Sequence, residues 1–219
     1  MDRGLNNFFD KVYVITCEDF TERHVHIRKH FNKLNIKFEF KSSIDKRFFN
    51  EDVISDSEKS LKLSHINCII DAKLNDYRSI LICEDDILFI DTVVEEMTKF
   101  MGMLPDDWYY LQLGNQSWAT QWLRRVKIFD NVYRFYWGTG SHCIGINRVS
   151  YDYTIRNLET MLEPLDISYY HLFNILPCYC PEVFFADAIS KNNHLNYINS
   201  NLIFESRIYH KKIEKSSGL

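Results

Sequence analysis

The sequence predicts an α/β fold with a mixed, mainly parallel central sheet flanked by helices. A strand, a helix and a second strand follow one another at 11–16, 22–35 and 36–40. A unit of about 35 residues in this order favours a parallel strand pair with a right-handed crossover. The apolar run 80–83, bounded by polar residues, is typical of a strand buried on both faces. Seven glycines and four prolines in 219 residues are few for an all-β chain rich in turns.

The first elements follow from residue type and spacing. Val12, Val14 and Ile15 are β-branched and lie between polar residues, which predicts the first strand. Apolar residues recur on one face through 22–35, and Thr21 just before them is the expected N-cap of a helix. The polar segment 45–59 indicates a surface loop or a short helix.

The later elements rest on the same two periodicities, one for helices and one for strands. We expect one domain over 1–210 and a flexible tail at 211–219. Helices are predicted at 61–74, 92–103, 151–162 and 169–175, and strands or extended segments at 80–83, 108–113, 126–137 and 177–185.

Composition excludes several classes of protein. A net charge of -4 and a pI near 6.1 provide no overall attraction to nucleic acid. No stretch approaches the ~20 apolar residues of a membrane span, and the first residues do not resemble a signal peptide. We therefore expect a cytoplasmic protein, in a bacterium or in the host cell of a virus. Six scattered cysteines without a CxxC pair indicate reduced, mostly buried thiols.

Three consecutive acids, Glu84, Asp85 and Asp86, follow the apolar run 80–83. Ligands of open α/β sheets bind at the carboxyl ends of the strands, and three carboxylates there repel one another unless a cation intervenes. Hard oxygen ligands suit Mg²⁺ or Mn²⁺ together with diphosphate oxygens. The pattern therefore predicts a site for a metal and a nucleotide diphosphate. The alternative is an acidic turn that enters a loop.

The common nucleotide-binding fingerprints are absent from the sequence. No glycine-rich motif follows the first strand and no GxxxxGK[ST] motif occurs, which argues against a Rossmann dehydrogenase and a P-loop enzyme. Arg23 lies near the start of the first helix instead. It is a candidate for contact with phosphate, and the alternative is a solvated arginine.

Six short motifs between residues 12 and 190 together resemble glycosyltransferase family 25, which includes lipooligosaccharide galactosyltransferases and procollagen galactosyltransferase-like domains. Their order and spacing carry the resemblance. The motifs are Val12-Tyr13-Val14-Ile15-Thr16 with Glu22-Arg23, the segment 38–45, Leu63-Ser64-His65-Ile66, Ile82-Cys83-Glu84-Asp85-Asp86, Gly138-Thr139-Gly140-Ser141 and Pro164-Leu165-Asp166.

The resemblance implies a GT-A type fold, a nucleotide-sugar-binding sandwich, and a set of binding residues. Glu84 and Asp86 would bind Mn²⁺ or Mg²⁺, and His194 would be a third ligand unless it is an exposed loop histidine. Asp85 would orient the ribose or the donor sugar. The remaining residues expected to bind the nucleotide sugar are Thr16, Arg23, Asp45, Ser64 and His65.

The family inverts the anomeric centre, so the resemblance also implies a general base for the acceptor hydroxyl. Asp166 is the first candidate because it lies in the matching Pro-x-Asp motif. Its alternative role is N-cap of the helix that follows. Asp187 is the second candidate for the base.

The implied function is metal-dependent transfer of galactose or glucose from a UDP-sugar to a hydroxyl of a glycan or protein, as in lipopolysaccharide biosynthesis. Three motifs depart from the family: Ser60-Leu61 replaces Gly-Cys, Lys46 replaces a glycine, and Val149-Ser150 replaces Gly-Ala. The alternatives are a diverged, non-catalytic binding module of the same fold and a metal-dependent nucleotidyltransferase.

Overall fold

The computed structural model describes residues 4–43, 54–115, 123–138 and 140–188. The elements in these ranges are helices that flank strands, with short 3-10 turns at Gly4–Asn7 and Arg148–Ser150. The helices are α1 (Thr21–Lys33), α2 (Asp56–Leu74), α3 (Val93–Met101), α4 (Tyr151–Leu158) and α5 (Leu165–Ile175). The strands are β1 (Lys11–Thr16), β2 (Glu39–Ser42), β3 (Ser79–Glu84), β4 (Ile87–Phe89), β5 (Tyr110–Gln112), β6 (Arg124–Phe129), β7 (Val132–Trp137), β8 (Cys143–Asn147), β9 (Cys178–Cys180) and β10 (Ala186–Ala188).

Eight of the strands in the described ranges form one sheet, in the order β2-β1-β3-β8-β5-β9-β7-β6. Only β8 and β7 run against the other six, because both pair antiparallel with their two neighbours. The sheet is therefore mixed, with most strands in one direction, and the predicted fold class is confirmed. A small second sheet pairs β4 with β10.

Both faces of the large sheet are covered, because successive side chains of each strand point to opposite sides. Val12 and Val14 of β1 join the core beneath α1 and α3. Tyr13 and Ile15 join the core beneath α2, α4 and α5. This arrangement of layers explains why β1 and β3 are apolar throughout rather than alternating.

The register of the parallel strands brings three carboxyl ends to one edge of the sheet. Thr16 at the end of β1 pairs with Ser42 at the end of β2. Ile15 pairs with Glu84 at the end of β3. The three acids at the end of β3 therefore lie beside the ends of β1 and β2, at the edge of the sheet where the sequence predicted the site.

Several predicted boundaries shift, for reasons visible in the backbone. The N-cap expected at Thr21 is wrong, because Phe20 occupies that position without a side-chain cap bond. Helix α2 begins at Asp56, earlier than predicted, since the Ser55 hydroxyl accepts the Glu58 N–H and caps it. Strand β2 begins later than predicted, after a turn in which Asn35 has a φ of 52°.

Candidate active site

A cavity of about 790 Å³ opens at the carboxyl ends of β1, β2 and β3. Its walls are the loop after β1, the end of β2, the first turns of α2 and the acidic end of β3. The lining residues are Ile15, Thr16, Cys17, Glu18, Asp19, Phe20, Ser42, Ser43, Ser57, Ser60, Leu61, Glu84 and Asp85. Serine hydroxyls and carboxylates thus face a space large enough for a small ligand.

Asp85 is buried and held by two side chains from β1 and α1. The Thr16 hydroxyl donates to Oδ2 at 2.6 Å, and the Arg23 guanidinium forms an ion pair with Oδ1. Both carboxylate oxygens are therefore engaged by the chain itself. We infer that Asp85 fixes the loop that carries its neighbours in place.

The Thr16 hydroxyl also fixes the tautomer of His24. Because this hydroxyl donates its proton to Asp85, it accepts a bond from His24 Nε2 at 2.9 Å, so the proton of that ring lies on Nε2. The same nitrogen lies 3.1 Å from the carbonyl of Cys17. These bonds tie the start of α1 to the end of β1.

Glu84 is anchored by the segment that precedes β8. The Ser141 hydroxyl donates to Glu84 Oε1 at 3.0 Å, and the Glu84 N–H donates to the carbonyl of His142 at 3.1 Å. Burial and the neighbouring charge of Asp86 raise the pKa of Glu84 to about 7, and the bond from Ser141 opposes this rise. A nearby cation would favour the charged carboxylate.

Asp86 completes the acidic end, with Oδ2 at 3.7 Å from Arg23 Nη1. Across the described ranges, no three His, Cys, Asp or Glu side chains are grouped closely enough to hold a metal ion. Mg²⁺ is commonly held by one or two carboxylates together with substrate phosphates, rather than by a cage of protein ligands. Glu84 and Asp86 fit that kind of site, one completed by a bound diphosphate.

The two candidate bases lie on different elements. Asp187 belongs to β10, where it pairs with Leu88 of β4, two residues after Asp86. Asp166 lies in the first turn of α5, with Oδ1 accepting the Ile167 N–H at 2.8 Å. Burial raises the pKa of Asp166, which suits a proton acceptor better than a fully solvated carboxylate.

The structure places Ser64 and His65 away from the cavity. Ser64 Oγ donates to the carbonyl of Ser60, one turn nearer the cavity, and His65 Nδ1 bonds the Tyr169 hydroxyl at 2.9 Å. Both residues are buried, and burial lowers the pKa of His65 to about 3. Of the predicted nucleotide-binding residues, Thr16, Glu84 and Asp85 line the cavity. Arg23 is not among the lining residues but forms an ion pair with Asp85.

Two predicted residues, Asp45 and His194, lie outside the described ranges. Their expected roles, contact with the nucleotide and ligation of metal, stay predictions.

Sequence reasoning missed several contributors to the site. His24 and Ser141 bond Thr16 and Glu84, and Phe20 presents a 45% exposed ring at the cavity. Ser141 lies in a motif that the sequence singled out, but nothing in that motif indicates a bond to Glu84. The exposure of Phe20 has no sequence signal, because an aromatic residue beside a helix start is usually part of the core.

The mixed sheet flanked by helices, with a cavity at its acidic strand end, is a GT-A type fold. The sequence pattern of glycosyltransferase family 25 (LPS biosynthesis protein) matches residues 9–135, more than half of the chain. The protein belongs to this family. No curated protein matches the sequence. Within the described ranges, none of the helices is both long and apolar enough to cross a membrane.

Three solved structures of low sequence identity resemble this chain to different degrees. A glycosyltransferase involved in the glycosylation of the major capsid of PBCV-1 superposes with a TM-score of 0.52 at 8% identity, over 90% of this chain and 98% of that one. A197 from STIV gives 0.47 at 12% identity, over 86% and 85%. The inositol-1-phosphate CTP transferase from T. maritima gives 0.45 at 11% identity, over 90% and 77%. At 8% identity, the likeness to the PBCV-1 glycosyltransferase shows a shared fold and nothing more.

Proposed function

We propose that the protein is a metal-dependent, inverting hexosyltransferase that uses a UDP-sugar and transfers galactose or glucose to a hydroxyl of a glycan or protein. Membership of family 25 supports glycosyl transfer in general. The observation that carries the finer proposal is the position of Glu84 and Asp86, at the end of β3 beside the cavity of about 790 Å³.

The donor would lie across the carboxyl ends of the strands. Phe20 offers an exposed ring on which the base can stack, and the Arg23 guanidinium lies 5.0 Å from the centre of that ring. Glu84 and Asp86 would hold Mn²⁺ or Mg²⁺, which would neutralise charge on the diphosphate as it leaves. Asp85, held by Thr16 and Arg23, would keep the two ligands in position.

Inversion requires attack from the face opposite the diphosphate. The acceptor oxygen forms a bond to the anomeric carbon while the bond to the phosphate oxygen breaks, and UDP leaves with the electron pair. Asp166 would take the proton of the acceptor hydroxyl, helped by its raised pKa. Asp187 is the second candidate for this role.

Calorimetry of UDP binding, with and without Mn²⁺, tests the donor site. We expect binding that depends on Mn²⁺ in the wild type and is lost in Asp86→Asn. Asp130→Asn is a matched control, because Asp130 is a 93% exposed acid that pairs with Lys127 in the hairpin between β6 and β7. The control variant should bind UDP as the wild type does.

The outcomes separate the proposal from its alternatives. Binding of UDP together with release of UDP from UDP-galactose or UDP-glucose supports the transferase. Failure to bind UDP under any metal condition would overturn the donor assignment and favour a non-catalytic module. Turnover of a nucleotide without a sugar would favour a nucleotidyltransferase.

A further inference from the structure

Helix α5 begins without a side-chain cap of its own. Pro164 occupies the N-cap position and makes no side-chain cap bond. The Leu165 N–H instead donates to Glu58 Oε2 at 3.3 Å, across 107 residues of sequence. The first turn of α5, which contains Asp166, is therefore capped by a side chain from α2.

Glu58 belongs to a Ser-x-x-Glu sequence that usually forms a local capping box. The first half of the box is present, because the Ser55 hydroxyl accepts the Glu58 N–H at 3.3 Å. In a complete box the glutamate carboxylate returns to its own N-cap. Here one of its oxygens reaches the start of α5, so the motif links two helices.

The location of Glu58 relates this bond to the cavity. Its neighbour Ser57 lines the cavity. The Glu58 carboxylate is also close enough to Glu84 to contribute to the raised pKa of that residue. Glu58 thus lies between the acidic end of β3 and the turn that holds Asp166.

A buried positive charge accompanies the acids at the start of α5. Lys62, one turn after Glu58, is fully buried. Burial lowers its pKa, and the negative charges of Glu163 and Glu58 oppose this by attracting the charged ammonium. Glu163 in turn accepts bonds from Ser168 at 3.3 Å and contacts His171 at 3.0 Å. Carboxylates near a helix N-terminus are stabilised by the helix dipole, and Lys62 adds to that stabilisation.

We propose that Glu58 is a positioning residue for glycosyl transfer: by capping α5 from α2, it fixes Asp166 relative to the donor cavity. The inference rests on the proposed function, in which Asp166 is the base. It assigns Glu58 no contact with the substrate.

The test compares Glu58→Gln with Glu58→Ala. A glutamine oxygen still accepts the Leu165 N–H, whereas alanine cannot. We measure UDP affinity in the presence of Mn²⁺ and the rate of UDP release from UDP-galactose and UDP-glucose with water as the acceptor. We expect Glu58→Ala to lower kcat about tenfold, with UDP affinity within about twofold of wild type, and Glu58→Gln to stay within about threefold of wild type.

Two further variants separate positioning from general destabilisation. In the Asp166→Asn background, Glu58→Ala should cause no further loss of rate, because the group on which it acts is gone. Pro164→Ser gives α5 a local N-cap and should restore the rate of Glu58→Ala. Additive losses in the double variant, or no rescue by serine, would overturn the inference.

Amide hydrogen exchange tests the cap independently of activity. The Leu165 amide should exchange faster in Glu58→Ala than in the wild type, and it should stay protected in Glu58→Gln, whose amide oxygen still accepts this N–H. Unchanged exchange in Glu58→Ala would also overturn the inference. Loss of UDP binding in the wild type would refute the proposed function instead, so the two failures are distinguishable.

Discussion

Removing the charge of Asp85 should destabilise the protein more than removing any exposed carboxylate. Asp85→Asn keeps the shape of the side chain but exchanges one oxygen acceptor for an NH₂ donor. Arg23 can only donate, and the Thr16 hydroxyl already accepts a bond from His24. The amide oxygen must therefore face Arg23 and the NH₂ must face Thr16, so the hydroxyl can no longer donate there and the ion pair with Arg23 is lost.

The magnitude follows from burial. The side chain of Asp85 is 6% exposed and that of Arg23 is 29% exposed. Breaking a buried ion pair costs about 3–5 kcal/mol, because one charge stays buried without compensation. Arg23 keeps some water and lies near Asp86, so we expect the lower end, about 3 kcal/mol of unfolding free energy.

Urea unfolding of Asp85→Asn, Arg23→Met and the double variant measures this. The double variant should recover about 1–3 kcal/mol relative to the sum of the single variants, because the two side chains contact each other. Asp91→Asn is the control: Asp91 pairs with Lys33 at 2.8 Å but both side chains are more than half exposed. A loss no larger for Asp85→Asn than for Asp91→Asn would refute the reasoning.

Three further predictions concern single side chains. Phe20→Ala should weaken UDP binding about tenfold, as loss of a stacked base does, whereas Phe129→Ala, at an exposed ring of β6, should not. Lys62→Met should raise the free energy of unfolding by about 1–2 kcal/mol, because burying Nζ without a hydrogen-bond partner in the described ranges costs more than the attraction to Glu163 and Glu58 returns. His30 accepts the Phe89 N–H at 2.8 Å, and burial lowers its pKa from 6.5 to about 4. Neutral His30 therefore stabilises the folded state fully above pH 6.5, and the free energy of unfolding should fall by about 3 kcal/mol as the pH drops towards 4. Urea unfolding of His30→Gln across the same pH range should lack that fall.

The sequence could predict the elements whose pattern is local. Strands β1 and β3 were predicted from runs of apolar residues and helix α1 from helical spacing, and the parallel pairing of β1 with β2 was predicted from the length of the crossover. Strands β4 and β10 were not predicted, because a three-residue strand has no readable period and its pairing depends on distant residues. Five of the six cysteines are buried, as their positions in apolar segments predicted.

The start of α5 shows why caps limit such predictions. Its predicted start, residue 169, lies after the observed one at Leu165, because the bond that begins the helix comes from Glu58. Asp166 was considered as an N-cap and lies instead in the first turn. A cap supplied across 107 residues leaves no trace in the local sequence.

The positions of Ser64 and His65 illustrate a second limit. They follow Ser60 and Leu61 along one face of α2, so the helical period places all four on the same stripe. One turn advances about 5.4 Å along the axis, which is enough to move Ser64 and His65 from the cavity into the core. Periodicity predicts the face of a helix, but the depth along that face depends on where the neighbouring strands end.

Under the proposed function, the charges at the end of β3 require a cation before a diphosphate can bind at this acidic edge. Arg23 supplies one positive charge to the three carboxylates, so negative charge remains on Asp86 and on the ionised form of Glu84. A diphosphate would be repelled by these charges, whereas a divalent cation balances them and leaves coordination positions for phosphate oxygens. Burial first, and then the charge of Asp86, raise the pKa of Glu84. It follows that metal and nucleotide should bind cooperatively, each raising the affinity of the other by the same factor.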